Sequence, residues 1–209
     1  QKMENLRERG LNPYPYGYDK DIMAADLQDK YKDLPAGEET EDCYHVAGRV
    51  MANRNTGMFI DLVDASGKIQ IFSHKENLSP EDLKTLKTVD IGDIVGFYGS
   101  VRRTPRGELT IKAQSLKILS KSLLPLPEKF HGLTDVETKY RQSYVDMIVN
   151  DDVKKTFQQR SLIIQKVREY LINKGFMEVE TPMLHPQAGG ANARPFITHH
   201  NTLDMDMYL

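Results

Sequence analysis

A single cysteine, Cys43, is all the thiol chemistry this sequence holds, so it can form no intramolecular disulfide and offers no thiol cluster for zinc. That suits a reducing compartment, and the cytoplasm is the expected location. No sign of charge dominates either. Charged residues make up 28% of the chain but nearly cancel at a net of −2, so no global positive field marks a nucleic-acid binder, and any such surface must be local. No apolar run approaches the ~20 residues of a membrane span, and the opening QKMENLRERG lacks the apolar core of a signal peptide. Repeats and low-complexity tracts are missing too. What is present is a 39% hydrophobic share over 209 residues, enough for one or two domains with buried cores. The chain opens on Gln1 and closes on an alternating DMDMYL that resembles mid-strand, so both ends read as cuts.

Met3 and Leu6, followed by Gly10, predict a short first helix; Met23, Leu27, Tyr31 and Leu34 share one face of a second, stopped by Pro35 and Gly37. Between them Asn12 to Tyr18 is too rich in proline for a helix and reads as an extended strap or an ordinary loop. These helices make up a segment over 1–42. From Cys43 the period changes to two. Strands are predicted at 45–53, 58–63, 68–73, 94–102 and 109–119, separated by turn residues at 55–57, 64–67 and 104–107. Ser79-Pro80-Glu81-Asp82 then carries a helix start between the third and fourth strands. Three strands, a helix and two strands over 43–120 match the OB-fold, a five-stranded barrel that grips oligonucleotides or oligosaccharides; the helix argues against an SH3-like barrel. Residues 121–150, with Pro125 and Pro127, read as a linker. A long helix follows from Asp151 to Lys174, capped by Asn150 or Asp151 and ended by Gly175, and then a strand-like run from Phe176 to Pro182. The expected class is α+β.

The helix followed by Gly175-Phe176-Met177-Glu178-Val179-Glu180-Thr181-Pro182-Met183-Leu184 resembles motif 1 of class II aminoacyl-tRNA synthetases. With an OB-fold ahead of it, the resemblance narrows to the subgroup that charges aspartate, asparagine and lysine. Lys129 to Asp135, Tyr140-Arg141-Gln142, and above all the stretch from Gly189 to Asn201 are similar to the lysine branch. The resemblance implies that residues 151–209 begin a class II catalytic domain built on an antiparallel sheet. It further implies ATP-dependent attachment of L-lysine to its tRNA through lysyl-adenylate, with ATP and Mg2+ bound by motifs 2 and 3. Those motifs lie beyond Leu209 in the family, so no catalytic residue is expected within these 209 residues and no activity from them alone. The alternatives are a non-enzymatic OB-fold RNA-binding module, or an asparagine or aspartate relative.

A single-stranded anticodon needs flat apolar faces, hydrogen-bonding groups for base edges, and cations for phosphate. Alternation puts Phe59 and Asp61 opposite Ile60 and Leu62, and Gln70 opposite Ile69 and Ile71. The resemblance implies that Phe59 stacks on a uridine, that Gln70 and Glu108 read uracil edges, and that a UUU or CUU anticodon is the target. Arg49, Arg54, Arg102, Arg103 and Arg106 form the local cation supply, with Arg49 and Arg54 assigned to the RNA; the turn from Asn53 to Met58 is shorter than in many family members, which bears on Arg54. Gly190 and Ala191 are implied as contacts to the substrate lysine, and Phe176 and Pro182 as part of a homodimer interface. His199 and His200 point to opposite sides of a strand, a poor geometry for a metal, and no metal site is expected.

Overall fold

The computed structural model describes residues 1–127, 133, 135–189 and 192–209. They fall into two compact units, 1–134 and 135–209. Among the described residues no helix is long and apolar enough to cross a membrane.

The first unit runs α1 (Lys2–Glu8), α2 (Ala24–Lys30), β1 (Glu39–Arg54), β2 (Phe59–Val63), β3 (Lys68–Phe72), α3 (Pro80–Leu86), β4 (Ile94–Arg103) and β5 (Leu109–Ser120). The strands close into a barrel in the order β1-β2-β3-β5-β4. Every seam is antiparallel except that between β3 and β5. Period-two alternation drives this closure, turning Val50, Ile60, Leu62, Ile69, Ile71, Val95, Phe97, Val101 and Ile111 inward to a core that excludes water. β1 begins earlier than its sequence suggests. Its polar first half has no strong alternation and is held instead by pairing with β4, from Cys43↔Ser100 to Arg49↔Ile94. An irregularity between Val50 and Ala52 then lets the strand bend toward β2.

The proline-rich segment is a strap along the barrel. Tyr18 lies flat against Gly96, where any β-carbon would run into its ring, and meets His45 edge-on at 5.7 Å. Burial, with Asp21 nearby, pushes the Tyr18 phenol up to about 12. Tyr14 donates to the Lys121 carbonyl at 3.1 Å, and Lys117 donates to that of Gly17 at 3.4 Å. α2 is fixed through one carboxylate: Asp64 accepts from Lys20 Nζ at 2.6 Å, Ala24 N at 2.8 Å and Ser66 N at 2.8 Å. Ser79 caps α3 by accepting from Asp82 N at 3.0 Å. Where β5 ends, Lys121 is buried against Asp93 at 2.6 Å, with Asp90 at 2.7 Å and the Thr88 carbonyl at 2.8 Å completing its three donations.

In the second unit, within the stretch read as a linker, residues 136–149 form two short helices, α4 (Val136–Arg141) and α5 (Ser143–Val149). Asp135 caps the first by accepting from Thr138 N at 2.6 Å. Helices this short show too few turns for a periodic signal in the sequence. α6 (Asp151–Asn173) is capped by Asn150, and it ends in a Schellman closure: Gly175, at φ 86°, donates to Ile172, and Phe176 donates to Leu171. Residues 176–182 form no strand, since a strand needs a ladder partner and none pairs with them among the described residues. β6 (Ile197–His200) and β7 (Met205–Tyr208) pair as an antiparallel hairpin, and His185 bridges to Tyr208.

Candidate nucleic-acid interface

On the outer face of the barrel, β2 and β3 lie in a register that places Phe59 beside Phe72 and Asp61 beside Gln70. The parallel seam adds Thr110 beside Gln70 and Lys112 beside Phe72, and β4 sets Arg102 beside Thr110. Two loops wall this patch. Between β1 and β2, three successive residues, Asn55, Thr56 and Gly57, take left-handed backbone at φ 51°, 56° and 95°, which makes the turn very tight. Between β4 and β5 the turn is closed by Gly107 N donating to Thr104 at 2.8 Å and Thr104 N donating to the Glu108 carbonyl at 2.9 Å. The result is a groove of about 800 Å³ lined by Arg54, Asn55, Phe59, Gln70, Phe72, Arg102, Thr104, Pro105, Arg106 and Glu108.

Phe59 and Phe72 pack at a tilt of 41° with 5.2 Å between ring centres, and Phe72 is also stacked with His74 at 5.8 Å. The Arg102 guanidinium lies over the Phe72 ring at 5.2 Å. The groove lining therefore offers aromatic faces, amide and carboxylate groups, and three arginines against one glutamate. A chain with a net of −2 thus concentrates positive charge locally, as an RNA surface requires.

Four of the five sequence-assigned RNA contacts, Phe59, Gln70, Glu108 and Arg54, meet in this groove. Each is already engaged. Arg54 grips the buried Asp61 through two nitrogens, at 2.7 and 3.4 Å, which fixes the guanidinium at the rim. Glu108 pairs with Lys68 at 3.3 Å, and the Gln70 side-chain oxygen accepts from Thr110 at 3.0 Å. Arg49 does not line the groove. It donates to the Gly92 carbonyl at 2.7 Å, and burial lowers its pKa. Arg103 is also turned away, donating to the carbonyls of Gly107 and Tyr31, both at 2.7 Å. Alternation assigns a strand face but not the direction of a long flexible side chain, so Arg49 could not be separated from the others in the sequence; Arg103 follows Arg102 on β4 and takes the opposite face.

Phe72 was missed, although the signal that found Gln70 also reaches it: Lys68, Gln70 and Phe72 alternate with Ile69 and Ile71. Gly190 and Ala191 lie outside the described residues, as do 128–132 and 134. Phe176 and Pro182 are exposed. His199 is held by Asp206 at 3.0 Å on one ring nitrogen, while His200 accepts from Leu203 N at 3.2 Å. Among the described residues, no three carboxylate, imidazole or thiolate groups converge to hold a metal.

Residues 44–119 match the OB-fold nucleic acid binding domain family, and residues 135–209 match the tRNA synthetases class II (D, K and N). The first unit is thus similar to the OB-fold nucleic acid binding domains, and the second to the class II tRNA synthetases of that group. All 209 residues align at 54% identity with the lysine–tRNA ligase of Sinorhizobium medicae strain WSM419, covering 42% of that protein's length. The lysine–tRNA ligase of Agrobacterium fabrum is 51% identical over the whole chain and 42% of its own length. That of Gloeobacter violaceus is 48% identical, again over the whole chain and 44% of its own length. The chain thus spans less than half the length of these relatives.

Proposed function

We propose that this chain serves the ATP-dependent attachment of L-lysine to its tRNA by way of lysyl-adenylate, and that its barrel reads the anticodon. The single observation that carries the reading is the groove in which Phe59, Gln70, Glu108 and Arg54 converge. The Phe59 ring takes a base, the amide and carboxylate meet base edges, and Arg102 and Arg106 face the phosphates. The lysine branch is supported by the relatives, which are lysine–tRNA ligases. The anticodon is UUU or CUU in this reading. No residue of this chain is assigned to ATP or Mg2+, both of which the family uses, and a lone free thiol at Cys43 suits a cytoplasmic setting. Gly190 and Ala191 would contact the amino acid, and α6 with Phe176 and Pro182 would form a homodimer surface.

Titration of the chain with anticodon stem-loop RNAs bearing UUU, GUU or GUC tests this. The UUU loop should bind tightest, and Phe59→Ala should weaken it by about 1–3 kcal/mol, the usual worth of one stacked base. A preference for GUU or GUC would sink the lysine assignment, and an unchanged affinity in the variant would remove Phe59 from the binding face.

A further inference from the structure

One proton in the groove lies between two acceptors. Thr110 is fully buried, and its hydroxyl oxygen is 3.0 Å from the Gln70 side-chain oxygen and 3.2 Å from the Glu108 carbonyl. A threonine hydroxyl donates only once. The Glu108 carbonyl already accepts from Thr104 N at 2.9 Å. The Gln70 oxygen has no other donor among the described residues. In the structure the nearer acceptor, Gln70, takes the proton, and the amide lies with its oxygen inward. Its carbonyl turns to Thr110, and its NH2 is the end left for the groove.

Beside it stands the Glu108 carboxylate, held by Lys68, which is two positions from Gln70 on the same face of β3. An ionised carboxylate only accepts and an amide NH2 only donates. With a base stacked on Phe59 and the carboxylate at its ring nitrogen, this donor beside an acceptor matches uracil, which presents an imino N–H next to a carbonyl oxygen. Cytosine would turn the lone pair of its ring nitrogen toward the carboxylate. If the amide were reversed, two acceptors would face the base and the match to uracil would be lost.

We infer that Thr110 is a positioning residue for base selection: it makes the groove prefer uridine over cytidine by fixing the direction of the Gln70 amide, without touching the RNA. This rests on the groove being the anticodon surface. Thr110→Val keeps the approximate shape of the buried side chain and removes the hydroxyl, while Thr110→Ser keeps it. Stem-loops differing by U or C at each anticodon position should be titrated into the chain and both variants. In Thr110→Val the preference for U at one position should fall by about tenfold, the discrimination expected from one well-made base contact, and Thr110→Ser should retain it. An independent readout is the Gln70 side-chain NH2 pair in nitrogen–proton spectra, which should shift on addition of the U-containing loop. A Thr110→Val chain with the unaltered U-to-C ratio, or NH2 signals that stay put, would overturn the role of Thr110 alone. An unaltered chain that shows no preference among loops would remove the reading of the groove, and this inference with it.

Discussion

Asp64 ties the β2–β3 turn to the start of α2. Burial alone would raise its pKa, but hydrogen bonds from Lys20, Ser66 and the Ala24 N–H outweigh that and hold the carboxyl well below its usual range. A depressed folded-state pKa means stability that is fully present above the unfolded value of about 3.9 and is lost as pH falls from there toward the folded one. Asp64→Asn should therefore cost about 2 kcal/mol near neutrality, in line with hydrogen bonds to a charged group. It should also flatten the acid side of the stability curve. Urea unfolding across the acid range checks both, and a variant with an unchanged midpoint and an unchanged acid slope would deny Asp64 this role. Residues of this kind are hard to read in sequence. Asp64-Ala65-Ser66-Gly67 announces a turn, but nothing in it says that Lys20 and Ala24 will come to the same carboxylate. Phe59 and Gln70 were legible because strand alternation fixes a side chain's face; the Thr110 proton was not, because its meaning depends on two acceptors, one on a neighbouring strand and one in a loop.

Among the elements, α6 stands apart. No side chain of it among the described residues is buried, yet Phe157, Ile164, Val167 and Leu171 line one face and Leu162, Ile163 and Tyr170 another. A helix apolar on more than one side is normally covered on more than one side. If the homodimer reading holds, sedimentation should show the chain's average mass rising toward that of a pair with concentration, and Ile163→Glu or Phe176→Glu should hold it at that of one chain. One constant mass across the range, the same in both variants, would deny the interface. The ends of α6 were plain in the sequence because caps are local chemistry, an asparagine before and a glycine after. α4 and α5 were hidden by their length, and the first half of β1 by its polar composition, since pairing with β4 rather than alternation makes it a strand.

At the scale of the whole molecule, the order of strands and the interrupting helix gave the barrel, because each turn carries its own residues and each strand its own period. Barrel closure was less visible, since it depends on β3 and β5 meeting across a helix and another strand. That meeting is short: only Gln70↔Thr110, Ile71↔Ile111 and Phe72↔Lys112 join the two, against five pairs between β2 and β3. The clasp of the barrel is thus its shortest ladder, and the side chains that line the groove lie on both of its sides. In the free chain, amide hydrogens of residues 70–72 and 110–112 should exchange with solvent water faster than those of the other ladders, through local opening rather than global unfolding. A bound UUU loop would span the clasp as a buckle does, slowing that exchange in proportion to its saturation, by about 2.7 kcal/mol at a hundredfold excess over Kd. Exchange that ignores the RNA would mean that the groove is read without bracing the seam.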